Sequence, residues 1–249
     1  MKLLFISLGC DKNLVDSEEM LGMLAADGHQ IVDDEDEAEV IIVNTCCFIG
    51  DAKEESVNTI LEMAEKKKAG TCKVLIVTGC MAQRYKKEIS EEIPEVDAIL
   101  GTTSYGDIIK AVKEAEAGRH FEEYKSIDFL PDISGKRMLT TGGHFAYLKI
   151  AEGCDKHCTY CIIPKLRGSY RSVPMEQLVK EAQSLAEQGV KELILVAQET
   201  TLYGKDLYGK KSLHVLLKEL CKITGIRWIR ILYCYPEEIY DELIQTMKE

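Results

Sequence analysis

Apolar residues gather along this chain in short, nearly continuous runs, such as Val40–Val43 and Val74–Val77. Longer stretches lie between them in which apolar positions recur every three or four residues. Runs of the first kind fit strands buried on both faces, and stretches of the second kind fit amphipathic helices. Strands are therefore expected at Lys2–Leu8, Val40–Asn44, Lys73–Thr78 and Ala98–Leu100. Helices are expected at Leu14–Ala26, Ala52–Lys68, Arg84–Glu92 and Gly106–Ala117, with Pro94 closing the third. Such alternation predicts βα units around an open parallel sheet, an α/β fold.

Between Arg119 and Gly143 the periodicity fades and Gly, Pro, Ser and Thr accumulate, which marks a connection between domains. The alternation then resumes, with strands at Ala146–Ala151, Glu192–Ala197 and Arg227–Tyr233. Helices are expected at Met175–Gln188, Ser212–Ile223 and Pro236–Met247. The expected domains are residues 1–137 and 138–249, the second holding about three βα units.

With 46% hydrophobic and 29% charged residues among 249, the chain can bury a core and is not of disordered composition. No apolar run approaches the roughly 18 residues of a membrane span. Leu3–Leu8 is too short for a signal sequence and runs into Asp11 and Lys12, so a cytoplasmic protein without membrane contact is expected. That expectation changes the meaning of the ten cysteines, because thiols in a reducing compartment are more often metal ligands or catalytic groups than disulfide partners. A net charge of −11 argues against a phosphate-binding surface spread over the molecule. The acidic run Asp33–Glu37 is read as a solvated turn.

Cys154, Cys158 and Cys161 form a CxxxCxxC segment directly after an expected strand. A cubane iron–sulfur cluster takes one thiolate per iron, so three local ligands would leave one iron open for a substrate or cofactor. A zinc site is the competing reading, but zinc prefers four protein ligands and the second pair is missing. His157, inside the loop, is expected to face solvent.

The first half carries three further cysteines at repeated positions. Cys10, Cys46 and Cys80 each follow the carboxyl end of an expected strand by one to three residues. Those ends line one edge of a parallel sheet, the edge where ligands bind, so three thiols distant in sequence are brought together. Gly9 and Gly79 allow tight turns beside them. A second three-cysteine cluster is the expectation; three buried core cysteines are the alternative. Cys47, Cys72, Cys221 and Cys234 lack such placement and are read as packing residues.

CxxxCxxC with Tyr160 before its last cysteine resembles the radical S-adenosylmethionine superfamily. That resemblance implies a parallel βα barrel, here partial, with a [4Fe-4S] cluster at the carboxyl ends of its strands. It also implies an S-adenosylmethionine chelated by the open iron and cleaved to a 5′-deoxyadenosyl radical, with Tyr160 beside it. Ser7-Leu8-Gly9-Cys10, Asn44-Thr45-Cys46 and Thr78-Gly79-Cys80-Met81-Ala82-Gln83-Arg84 resemble the amino-terminal domain of methylthiotransferases. The family implies a second [4Fe-4S] cluster on Cys10, Cys46 and Cys80 that holds the inserted sulfur, conversion of C–H to C–S–CH3, and an external electron donor.

Within that family, Lys12-Asn13-Leu14-Val15-Asp16-Ser17 is similar to the ribosomal-protein (RimO-type) branch, which modifies the β-carbon of an aspartate in a small-subunit ribosomal protein. Cys161-Ile162-Ile163-Pro164, Leu166-Arg167-Gly168-Ser169-Tyr170-Arg171-Ser172 and Val196-Ala197-Gln198-Glu199-Thr200 fit the same branch. The related MiaB type, acting on tRNA, is the alternative; the acidic balance favours a basic ribosomal protein as partner. Val173 stands where the family has a second arginine, which leaves Arg171 to contact a carboxylate of substrate or S-adenosylmethionine, unless it forms a surface ion pair. Gln198 and Glu199, after the second barrel strand, are expected near the S-adenosylmethionine, with an ordinary polar turn as the competing reading. Family members are longer, completing a barrel of about six strands and adding a TRAM domain. This chain is accordingly expected to be truncated, to leave a strand edge unpaired and to be poorly soluble.

Overall fold

The computed structural model describes residues 1–131 and 137–249, which divide into two compact units. Residues 132–136 of the expected connection lie outside the described residues. The first unit comprises Met1–Met138 together with Tyr160–Arg167, and the second comprises Leu139–Thr159 with Gly168–Glu249.

In the first unit β1 (Lys2–Ser7), α1 (Asp11–Ala26), β2 (Gln30–Ile31), β3 (Val40–Thr45), α2 (Gly50–Lys68) and β4 (Val74–Gly79) follow in turn. After them come α3 (Cys80–Arg84), α4 (Lys86–Glu92), β5 (Ala98–Leu100), α5 (Ile108–Glu116) and β6 (Phe121–Glu123). The late segment α6 (Ile163–Arg167) also belongs to this unit. Its six strands form one wholly parallel sheet in the order β2-β1-β3-β4-β5-β6.

Strands β3 and β4 are buried along their whole length, as parallel strands covered on both faces must be. Alternate residues serve opposite faces. Ile41, Val43, Leu75 and Val77 pack with Ile60, Met63 and Ile89 of α2 and α4. Val40, Ile42, Val74 and Ile76 pack with Met20, Leu24, Ile108 and Val112 of α1 and α5. Truncating a residue in such a two-sided core to alanine costs roughly 2–5 kcal/mol.

From β1 the chain steps outward to β2, then returns to the other side of β1 as β3. The order therefore reverses between β1 and β3, and a crevice opens at the carboxyl ends of strands at such a switch point. Helix α1 begins at Asp11, earlier than the expected Leu14, with Cys10 in extended conformation as its N-cap residue. The expected helix Arg84–Glu92 is two pieces, because Tyr85 leaves helical geometry between α3 and α4. The expected helix Gly106–Ala117 begins as a 3₁₀ turn at Tyr105–Asp107 and becomes α-helical only from Ile108. Phe121–Glu123, inside the expected connection, is a further strand of this sheet; Phe-Glu-Glu holds a single apolar residue, so no apolar run marks it, unlike the equally short Ala98–Leu100.

The second unit contains β7 (Phe145–Lys149), β8 (Ala151–Glu152), β9 (Arg171–Ser172), α7 (Met175–Glu187) and β10 (Glu192–Val196). It continues through α8 (Lys205–Tyr208), α9 (Leu213–Leu220), β11 (Trp228–Ile231) and α10 (Asp241–Lys248). Its parallel sheet has the order β11-β10-β7, a partial βα barrel with β11 at the edge. Leu148, Leu193 and Leu195 pack against Leu178, Leu185, Leu216 and Leu220 of α7 and α9. The single expected strand Ala146–Ala151 is broken at Ile150, because the chain leaves the β7–β10 ladder there and β8 pairs antiparallel with β9. Likewise the expected helix Pro236–Met247 starts as a 3₁₀ turn, passes through extended residues at Ile239 and Tyr240, and resumes as α10. Among the described residues no helix is long and apolar enough to cross a membrane.

Candidate iron–sulfur and cofactor sites

Cys10, Cys46 and Cys80 all stand at the carboxyl edge of the first unit's sheet, after β1, β3 and β4. Register makes this unavoidable: Ser7 lies opposite Asn44, and Thr45 lies opposite Gly79, so Cys46 and Cys80 leave the sheet side by side. Gly9 (φ +94°) passes so close that an added Cβ would lie 2.6 Å from the Cys46 Cβ and 3.0 Å from its sulfur. Gly79 (φ +94°) runs against the backbone of Thr45. No β-carbon fits either position, and L-residues rarely adopt that backbone conformation.

A buried polar frame holds the three strand ends. The Asn13 amide donates to the carbonyls of Leu8 (3.0 Å) and Thr45 (2.9 Å), each within two residues of a cysteine. Asn44 Nδ2 donates to the Asn13 carbonyl and to Ser17 Oγ. Thr45 Oγ1 donates to the Thr78 carbonyl, and Ser56 Oγ both accepts from the Cys46 amide and donates to its carbonyl. Asn13, Ser17, Asn44 and Thr45 stand in the motif segments quoted above, but nothing in composition or spacing shows that they bond to one another, and Ser56 on α2 carries no signal at all.

The thiols feel one another. Burial pushes the Cys46 thiol up, and the nearby Cys10 adds to that rise. Burial likewise pushes Cys80 up to about 12; the Arg167 guanidinium opposes the rise, while Cys10 and Cys46 reinforce it. Three buried or half-buried thiols around one crevice form a soft donor set that fits an iron–sulfur group. Among the described residues no three His, Cys, Asp or Glu side chains are grouped to hold a single metal ion. A cubane spreads its thiolates over separate irons, so its ligands stand wider apart than those converging on one zinc.

The CxxxCxxC segment spans the division of the chain: Cys154 and Cys158 belong to the second unit, Tyr160 and Cys161 to the first. The Cys154 amide donates to the Gly168 carbonyl (3.1 Å), and the Cys158 sulfur lies 3.8 Å from the Tyr235 hydroxyl. Cys161 is half-buried. His157 has φ +46°, and Tyr160 is 82% exposed, so the tyrosine ring is not core packing.

In the second unit Glu199 is fully buried just after β10. Its Oε1 accepts from the Thr201 amide and hydroxyl, and its Oε2 lies 3.6 Å from Lys156 Nζ in the cysteine loop. Lys156 also reaches Glu238 at 3.1 Å and lies over the Tyr235 ring. Beside Glu199, both polar atoms of the Gln198 amide are buried with no hydrogen-bond partner among the described residues. A buried amide in that state has a donor and an acceptor to offer a polar ligand. Arg171, on β9 opposite Glu152, donates from Nη1 to the Ser169 carbonyl.

Residues 2–101 match the family described as "Uncharacterized protein family UPF0004", and residues 148–249 match the Radical SAM superfamily. The chain is 66% identical over 248 residues to the ribosomal protein uS12 methylthiotransferase RimO of Lachnoclostridium phytofermentans, covering 100% of this chain and 56% of that protein. It is 54% identical over 249 residues to the protein of the same name from Clostridioides difficile, again covering 56% of it. The chain thus spans about half the length of the curated relatives it matches. In fold it is similar to TsrM, a radical S-adenosylmethionine methyltransferase from Kitasatospora setae, with a TM-score of 0.62 at 13% identity over 99% of this chain and 57% of that one. It is also similar to OxsB, a cobalamin-dependent S-adenosylmethionine radical enzyme, with a TM-score of 0.57 at 15% identity, covering 99% of this chain and 41% of that one.

Proposed function

We propose that the chain is a member of the RimO family of methylthiotransferases and carries both iron–sulfur sites of an enzyme that methylthiolates an aspartate β-carbon in the small-subunit ribosomal protein uS12. Cys154, Cys158 and Cys161 would hold one [4Fe-4S] cluster, and Cys10, Cys46 and Cys80 a second. Tyr160, Arg171, Gln198 and Glu199 would surround S-adenosylmethionine. When bound, these groups supply the one-electron chemistry that opens a C–H bond and the sulfur and methyl that replace the hydrogen. An external electron donor and a cytoplasmic location complete the reading.

The observation that carries it is the convergence of Cys10, Cys46 and Cys80 on the switch-point crevice. The protein's own part is positioning. Asn13 and Asn44 fix the strand ends from which the thiols project. Gln198 offers a donor and an acceptor suited to the amino and carboxyl groups of a methionine moiety. Glu199, neutralised by Lys156, holds that lysine against Tyr235 and Glu238 and so stiffens the cysteine loop. The net charge of −11 suits a basic protein substrate better than a nucleic acid.

Anaerobic reconstitution with iron and sulfide tests the reading. About eight irons per chain are expected, falling to about four in Cys158→Ala and in Cys46→Ala. Zinc without sulfide would defeat it. Tight binding of tRNA, undisturbed by competing uS12, would move the substrate to the tRNA branch.

A further inference from the structure

A buried arginine stands beside the three thiols; it lies in one of the motif segments quoted above, yet the proposed ligand sets give it no role. Arg167 is the last residue of α6, six positions after Cys161, yet it lies within the first unit and is only 2% exposed. Its Nη1 forms a 2.9 Å ion pair with Asp16 of α1, itself buried. Its Nη2 donates to Oδ1 of Asn13, the same residue whose amide ties Leu8 to Thr45. The same Asn13 Oδ1 lies 4.0 Å from the Cys80 sulfur, so the guanidinium is held beside that thiol, and its charge is felt at Cys80 and Cys46. Neighbouring Leu166 packs into the core beneath β4, and its carbonyl accepts from Thr102 Oγ1 at 2.7 Å, so the arginine's backbone is anchored as well.

Removing an arginine from water without need is costly, and one acidic partner repays that cost only in part. Two hydrogen-bonded holders beside a set of anionic ligands give the charge a use. We propose that Arg167 is a positioning residue for the amino-terminal cluster, placing a fixed positive charge beside Cys46 and Cys80 that stabilises the added electron of the reduced state. This rests on the reading that Cys10, Cys46 and Cys80 hold a cluster. Nearby charge is one of the factors that set iron–sulfur potentials, and Arg167 supplies a buried one here. Asp16 works in the opposite sense, tempering the same charge.

The test uses the chain with Cys154, Cys158 and Cys161 replaced by alanine, so that only the amino-terminal cluster loads. Its midpoint potential is read by redox titration with electron paramagnetic resonance. Arg167→Gln is expected to leave about tenfold less cluster reduced at a given potential, a fall of ~59 mV for one electron. Asp16→Asn is expected to shift the potential upward, and Arg167→Lys, which keeps the charge, to stay nearer the parent than Arg167→Gln. Opposite shifts from the two partners are a signature that loosened packing does not produce. Should Arg167→Gln fail to load iron, the Asp16→Asn and Arg167→Lys titrations decide the matter. Equal potentials in all variants, or shifts of one sign, overturn the role of Arg167 while leaving the cluster in place. A parent that loads no iron removes the two-cluster reading and this inference with it.

Discussion

Asn13 and Thr45 are 32 positions apart, yet the buried side-chain amide of one donates to the carbonyl of the other at 2.9 Å, directly before Cys46. The same amide nitrogen reaches the Leu8 carbonyl, two residues before Cys10. Asn13→Ala would leave two carbonyls and the Arg167 guanidinium short of a partner. A loss of about 2–4 kcal/mol is expected from the desolvation cost of the stranded groups. Chemical denaturation checks it, and iron loading of the amino-terminal site should fall in parallel.

Glycine is required at position 79 for two separate reasons, and position 28 separates them. Gly79 and Gly28 have similar φ (+94° and +92°), but a Cβ at Gly79 would meet the Thr45 backbone at 2.5 Å, whereas at Gly28 it meets nothing within 4 Å. Gly28→Ala should cost about 1–2 kcal/mol, the conformational penalty alone. Gly79→Ala should cost clearly more, since backbone atoms cannot move aside as a flexible side chain can. Equal denaturation midpoints for the two variants would contradict the close approach.

The metal-free protein should show the elevated Cys80 thiol directly. Burial raises it from 9.0 to about 12, so the folded chain keeps a proton that the unfolded chain releases. The unfolded state then binds fewer protons, and stability contributed by this group is intact below pH 9 and lost as pH rises toward about 12. The free energy of unfolding measured across that window should fall less steeply in Cys80→Ala than in the parent. At neutral pH the folded thiol should resist alkylation, because only the thiolate reacts.

Gln198 separates stability from binding. Its amide is buried without partners among the described residues, so replacing it with an apolar residue of similar length, Gln198→Leu, should leave the melting temperature of the metal-free protein unchanged or raise it. Binding of S-adenosylmethionine to the reconstituted protein should weaken about tenfold, the worth of one good hydrogen bond, as read by calorimetry. A variant that lowers stability and leaves binding untouched would make Gln198 a structural residue only.

Much of this molecule was legible along the chain itself. Continuous apolar runs such as Val40–Val43 announce strands covered on both faces, because a parallel sheet offers no wet side, and each of the long strands is where its run stands. CxxxCxxC is local, so its chemistry can be read from spacing, and the repetition of cysteine after three strand ends already implied a common edge. Other short elements escaped for the converse reason: β6 has one apolar residue and the β8–β9 pairing joins two-residue segments, so no apolar run marks them, whereas the equally short Ala98–Leu100 is apolar throughout. What only the tertiary structure decided is which strands are neighbours. The step from β1 out to β2 and back to β3 puts Asn13 between two strand ends and lets Arg167, 151 positions after Asp16, fall beside Cys80. Hydrophobic periodicity reports which face of an element is buried and says nothing about which polar side chains will share that interior. Those pairings are settled by sheet order and register, and the thiol crevice depends on them.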